Sequence, residues 1–246
     1  MTMYMEQEEK EERELVSLIP EIVALLGGIL SAIFIAIPIS YLFNVIPNIQ
    51  VIGPIFIAPL VEEPSKMIGV LILALYFPDA IDSKKRGLIL GVMAGIGFAF
   101  TENLMYFIGS PQSILLRAIV PVLLHICASA TAGLGVALLS KRVSRSLKGS
   151  ARIKQINNNE FKAFLSIAMV FHLLNNLILM INVVEVIWTV NIVIDYLILY
   201  KLYYYLPDKL TEIKIENAHR LFISAITTKR RKHDRQTTIA DFNKTS

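Results

Sequence analysis

Cysteine and charge are the two features that this 246-residue sequence has little of. Its single cysteine, Cys127, cannot form a disulfide within the chain, so nothing in the sequence implies an oxidising compartment. Charged residues make up 18% of the chain, against about 25% in an average soluble domain. Hydrophobic residues make up 54% and the mean hydropathy is +0.58. This composition argues against an ordinary soluble domain and predicts one integral membrane bundle.

Long apolar runs take the place of the missing charges. Each of six runs is near or above the roughly 20 residues that cross a bilayer as a helix. They cover residues 21–42, 51–77, 88–108, 114–139, 161–181 and 186–206. We therefore expect an all-α, polytopic membrane protein with about six transmembrane helices in one domain, 21–206. A cytoplasmic N-terminal segment, 1–20, would precede it and a basic cytoplasmic tail, 207–246, would follow.

Lys and Arg are missing from every second connection between the predicted spans. The turns at 43–50, 109–113 and 182–185 contain neither residue. Of 24 Lys and Arg, all but Lys66 and Arg117 lie in or beside the two termini and the loops at 78–87 and 140–160. The positive-inside rule then predicts a multi-pass protein with both termini in the cytoplasm. We interpret the basic tail as lying against anionic lipid headgroups rather than binding nucleic acid.

The second predicted span contains the charges that a membrane helix normally excludes. Glu62, Glu63 and Lys66 lie near the middle of the run Val51–Phe77. One mid-membrane charge costs about 2.5–3.5 kcal/mol on insertion scales, so three unpaired charges would be strongly unfavourable. We therefore expect a functional site here, with Lys66 as counter-ion to the two glutamates.

Prolines at positions 54, 59 and 64 accompany these charges. An interior proline removes a backbone hydrogen bond and kinks a helix. We expect the span to be bent or broken just before the glutamates, with Pro64 restarting it.

Strongly polar residues of four predicted helices lie at similar depths. With 1.5 Å of rise per residue, Glu62 and His125 lie about 16 Å from the outer ends of their spans. On the same scale His172 lies about 15 Å in, and Glu102 about 9 Å in. Residues at one depth on neighbouring helices can meet, so these four predict one intramembrane site.

The residue types indicate hydrolysis of an amide bond by one of two routes. His125, His172 and Glu102 together would suit zinc or another divalent metal, with a coordination position left for water. Alternatively, a carboxylate of Glu62 or Glu63 activates water directly. The histidines and Asn176, which shares a helix face with His172, would then stabilise the oxyanion.

The motifs around these residues resemble the PrsW family of intramembrane proteases. That family belongs to a superfamily with the CAAX prenyl endopeptidases and bacteriocin-processing proteins. The matching elements are Glu62-Glu63-Pro64-Ser65-Lys66 for EExxK, residues 97–103 for GFAxxEN, His125 in mid-helix, and His172 to Asn176 for HxxxN.

The resemblance implies a packed helical fold with an embedded proteolytic site. By that similarity Glu62 or Glu63 would activate water, His125 and His172 would bind a metal or the oxyanion, and Asn176 would assist. Asn103, which follows Glu102 in its motif, is either a supporting site residue or a structural one. CAAX endopeptidases carry FxxxH where this chain has Phe98 followed by Glu102, which favours the PrsW branch.

Three functions remain open at this point. The leading hypothesis is an intramembrane endopeptidase that cleaves a membrane-anchored protein near the outer leaflet. The second is a transporter or channel that uses Glu62, Glu63 and Glu102 as a proton or cation relay. The third is a non-catalytic scaffold with a buried polar network. The sequence predicts no particular oligomeric state.

Overall fold

The computed structural model describes residues 18–109, 120–143, 149–180 and 184–205. The predicted N-terminal segment, apart from its last three residues, and all of the predicted basic tail lie outside these residues. Within the described residues the regular structure is helical and contains no strand. The prediction of an all-α membrane protein is therefore confirmed.

Ten α-helices, two π-helical turns and two 3₁₀ turns make up the described residues. The helices are α1 Ile19–Ser31, α2 Ile37–Val45, α3 Ile49–Ile52, α4 Ala58–Lys66, α5 Ile68–Tyr76, α6 Lys84–Gly109, α7 Val120–Arg142, α8 Ser150–Lys154, α9 Asn159–Met180 and α10 Val184–Tyr205. The first π-helical turn, Ala32–Ala36, joins α1 to α2, and the second, Gly53–Ile57, joins α3 to α4.

Four helical stretches of the described residues are long and apolar enough to cross a membrane. They are Ile19–Phe43, Lys84–Ile108, Pro121–Arg142 and Asn159–Ile178. They correspond to the first, third, fourth and fifth predicted spans. The second predicted span is divided into shorter helices, and the 22-residue α10, at the sixth, is not among the four. The predicted number of six spans therefore stays a prediction.

The second predicted span is broken on both sides of the glutamates. The second π-helical turn lies before them, and Met67 separates α4 from α5 after them. Our prediction that Pro64 restarts the helix is wrong, because Pro64 lies inside α4. Pro59 lies instead in the first turn of that helix, where the helix continues from the second π-helical turn.

Close packing of α6 against α7 sets the position of the histidine on α7. A Cβ atom added to Gly95 would lie 2.6 Å from the backbone oxygen of His125. One turn earlier, a Cβ on Gly91 would collide with the backbone oxygen of Ser129. Small residues allow helix backbones to approach in membranes, so these glycines hold the backbone of His125 against α6.

An ion pair joins α1 to the beginning of α6. Both guanidinium nitrogens of Arg86 donate to the carboxylate of Glu21. Such a bidentate pair fixes orientation as well as distance. It lies at the end of the helices where the sequence predicts the cytoplasm.

Candidate active site

Four helices bring their polar residues together in the interior. Glu62, Glu63 and Lys66 come from α4, and the remaining residues come from α6, α7 and α9. Glu63 and Lys66 have no exposed surface, and His125 and His172 are 2% and 3% exposed. The sequence predicted that these residues meet, and hydrogen bonds join them in the structure.

Glu63 contacts two other residues of this cluster through one carboxylate oxygen. Its Oε1 atom lies 2.6 Å from Lys66 Nζ and 2.7 Å from His172 Nδ1. A carboxylate that accepts a hydrogen bond from one ring nitrogen orients the imidazole and increases the basicity of the other nitrogen. The opposite nitrogen, His172 Nε2, lies 4.0 Å from Glu62 Oε2. Glu63 therefore directs His172 towards Glu62.

His125 has a polar neighbour at each ring nitrogen. Lys66 Nζ lies 2.8 Å from Nδ1, and Glu102 Oε2 lies 2.7 Å from Nε2. Because an ammonium group can only donate, Nδ1 accepts from it and Nε2 carries the proton that Glu102 accepts. Lys66 thus selects the tautomer of His125.

Phe98 is a site residue that the sequence indicated only as part of a motif. Its ring is fully buried, stands 5.0 Å from the ring of His125, and lies 4.1 Å below Lys66 Nζ. A cation over an aromatic face is stabilised electrostatically, most strongly where water is excluded. The phenylalanine therefore stabilises the buried ammonium in addition to the carboxylates.

Glu62, His125 and His172 form a possible metal-binding group. One ligand atom from each lies within 4.8 Å of the other two. Two imidazoles and a carboxylate are a known catalytic zinc set, in which ligand atoms stand about 3.4 Å apart. The residues fit a divalent metal if the side chains close by about an ångström. A metal on His125 would replace its hydrogen bond to either Lys66 or Glu102.

This grouping differs from the set expected from the sequence. We predicted His125, His172 and Glu102 as ligands, with Glu62 or Glu63 acting on water. In the structure Glu62 stands with the histidines, while Glu102 hydrogen-bonds to His125 Nε2 and its side chain is 20% exposed. Glu102 is thus the most accessible of the three carboxylates.

The asparagine that was predicted to assist the chemistry contacts the backbone of another helical segment. Asn176 donates from Nδ2 to the backbone oxygen of Pro54 at 2.8 Å. Its neighbour Asn175 is 2% exposed. Neither amide atom of Asn175, nor Glu63 Oε2, has a hydrogen-bond partner among the described protein atoms. Asn103 lies partly buried on α6 and makes contacts of its own.

Comparison with known families now adds to this geometry. Residues 21–204 match the model of one family, described as the PrsW family intramembrane metalloprotease. The chain belongs to the PrsW family. No curated protein and no solved structure matches it at a significant level. The match extends well beyond the four motifs, which lie between residues 62 and 176.

Membership in the PrsW family makes this protein a membrane-embedded protease. It is a multi-pass membrane protein whose surroundings are lipid and whose substrate is a membrane-embedded protein. The buried His and Glu cluster is the part of the described chain that suits the metal expected of the family.

Proposed function

We propose that the protein cleaves a peptide bond of a membrane-anchored protein at the cluster formed by Glu62, His125 and His172. The observation that supports this most is the convergence of one carboxylate and two imidazoles within 4.8 Å, on three separate helices. Burial of such groups in a membrane is costly unless they are paired or functional.

In this proposal Glu62, His125 and His172 hold a divalent metal, with zinc the first choice from the donor set. A metal in that position supplies Lewis-acid activation of water and of the substrate carbonyl. Glu63 keeps His172 in the tautomer whose Nε2 faces the cluster, and Lys66 neutralises the buried carboxylates.

Glu102 is the residue that we assign to proton transfer. Its carboxylate is the most exposed of the three, and Oε2 is bonded to His125 Nε2. It can therefore accept a proton from the attacking water and return it to the leaving amine, as a general acid–base does. This reverses the roles that the sequence suggested for Glu62 and Glu102.

The orientation in the bilayer is part of the proposal. The distribution of Lys and Arg predicts cytoplasmic termini, and the expected depth of Glu102 places the site nearer the outer leaflet. A substrate anchored in the membrane would then be cut close to its outer end. The segment 1–20 and the tail 207–246 would remain in the cytoplasm as regions outside the protease domain.

Two glutamine variants separate the proposed roles. Glu62→Gln should lower both zinc affinity and the appearance of new protein N-termini beside transmembrane segments in cell membranes. Glu102→Gln should abolish the new termini while leaving zinc affinity within a few-fold of wild type. Mass spectrometry of N-termini and a chelator competition assay measure the two quantities.

The matched control is Glu160→Gln, which changes an exposed carboxylate on α9 in the same way. It should retain both properties. Identical termini in membranes containing wild type, Glu62→Gln and Glu102→Gln, with all three proteins inserted, would contradict the proposal. That result would favour an ion relay through Glu62, Glu63 and Glu102, the transport alternative.

A further inference from the structure

We propose that Asn176 is a positioning residue. Its side-chain amide donates to the backbone oxygen that would otherwise lack a donor because residue 59 is a proline. This bond holds α4, the helix that carries Glu62 and Glu63, against α9. This inference rests on the proposed function only for its effect on the active site. The hydrogen bond itself can be tested without substrate.

The second π-helical turn creates the need for such a donor. The backbone N–H of Ala58 donates to Gly53 O, five residues earlier. In the same register the next acceptor is Pro54 O, and its donor would be residue 59. Residue 59 is a proline and has no N–H. The register therefore leaves Pro54 O without a backbone donor.

Asn176 supplies a donor from another helix. Its Nδ2 atom lies 2.8 Å from Pro54 O. In hydrocarbon an unpaired carbonyl cannot turn to water, so neighbouring helices must satisfy the groups that a proline frees. The side-chain amide of Asn176 thus completes the hydrogen bonding of the turn directly before α4.

The position of this contact links it to the active site. His172, one helical turn before Asn176 on α9, bonds to Glu63 on α4. The helix pair is therefore joined at two points: the freed carbonyl before α4 and the carboxylate within it. Loss of the first contact would leave the bond between Glu63 and His172 without the second polar contact beside it, and would let Glu62 move relative to His172.

The first π-helical turn provides a matched control. There the N–H of Ile37 donates to Ala32 O, five residues earlier, and the next residue is Pro38. The arrangement of backbone donors and acceptors is therefore the same as at Pro59. This turn, however, lies in the first predicted span, and Asn176 donates to Pro54 O instead. Pro38→Ala therefore makes the same chemical change at an equivalent place without offering a donor to Pro54 O.

The test is a double-mutant cycle in purified, detergent-solubilised full-length protein. Asn176→Leu keeps the branched shape with the same number of side-chain heavy atoms and removes the donor, while Pro59→Ala restores a backbone N–H at the required place. We expect Asn176→Leu to lower Tm by about 2–4 °C in the wild-type background. In the Pro59→Ala background the same change should lower Tm by less than about half as much, because coupled sites are non-additive.

Zinc affinity is the second readout. A contact that only stabilises the fold would lower Tm without lowering zinc affinity. Asn176→Leu should weaken zinc binding several-fold, and Pro59→Ala should restore most of that loss. Pro38→Ala should restore neither Tm nor affinity. If Asn176→Leu fails to accumulate in membranes, recovery of accumulation in the Pro59→Ala double variant supports the inference, and absence of recovery overturns it.

Equal Tm losses in the wild-type and Pro59→Ala backgrounds would overturn the inference. So would a loss of proteolysis with Tm and zinc affinity unchanged, which would mean that Asn176 acts on the substrate. Failure of the proposed proteolysis gives a different pattern: the Tm coupling between Asn176 and Pro59 would persist, while no variant would change any cleavage product.

Discussion

Replacing Glu63 by glutamine should weaken metal binding without removing a metal ligand. Glu63 Oε1 contacts both Lys66 Nζ and His172 Nδ1, at 2.6 and 2.7 Å, and the side chain has no exposed surface. Glutamine has almost the same shape but no charge, and it can present either the oxygen or the NH₂ group of its amide to the ring. The perturbation is therefore electrostatic and local.

Two costs follow from those contacts. Loss of an orienting carboxylate behind a histidine ligand typically reduces metal affinity about 10–100-fold. Breaking a buried ion pair costs about 3–5 kcal/mol because the remaining charge has no partner. Lys66 keeps Glu62 at 3.9 Å, so we expect the stability loss to fall at the lower end, near 3 kcal/mol.

The assay is zinc competition against a chromophoric chelator in detergent, combined with thermal unfolding of the metal-free protein. Glu160→Gln is the control: its carboxylate is 3.1 Å from Arg142 and 49% exposed, and an exposed pair contributes at most about 1 kcal/mol. Zinc affinity of Glu63→Gln equal to that of wild type would refute the assignment of Glu63 as the residue that orients His172.

Three further predictions concern the surroundings of the cluster. Gly95→Ala would force α6 away from the backbone of His125. We therefore expect a stability loss of about 1–3 kcal/mol in thermal unfolding and a clear fall in zinc affinity. Unchanged affinity would show that the α6–α7 spacing does not determine the geometry of the site. Lys66→Met removes the ammonium that pairs with the buried carboxylates, so its Tm should fall by more than that of any surface lysine variant. A Tm equal to that of wild type would contradict the ion pairing in the structure. Arg86→Met breaks the partly buried pair with Glu21 and should lower stability by about 1–3 kcal/mol. Zinc affinity should stay the same. A loss of zinc affinity would indicate that the beginning of α6 is coupled to the site.

Much of the candidate site could be predicted from the sequence because polar residues are conspicuous in apolar runs. Six charged or ionisable residues stand out in the apolar runs: Glu62, Glu63, Lys66, Glu102, His125 and His172. The helical rise per residue alone gives their expected depth. The same reasoning predicted a break in the second span, since three prolines fall within it. It placed the restart at the wrong proline, because backbone register depends on the π-helical turn, which no spacing in the sequence revealed.

The roles of neighbouring residues were decided only by the tertiary structure. Adjacent residues on a helix point about 100° apart, so Glu62 and Glu63 cannot both face His172 Nε2, and Asn175 and Asn176 cannot both reach Pro54. Which member of each pair does so depends on the rotation of α4 and α9 about their axes. The sequence by itself predicted which polar side chains lie within apolar runs and at what depth along each run. Packing against neighbouring helices determined the rotation of α4 and α9, because the pattern of one helix does not specify which partner each of its faces meets. On α9, for example, Gly135 of α7 admits the backbone of Phe161.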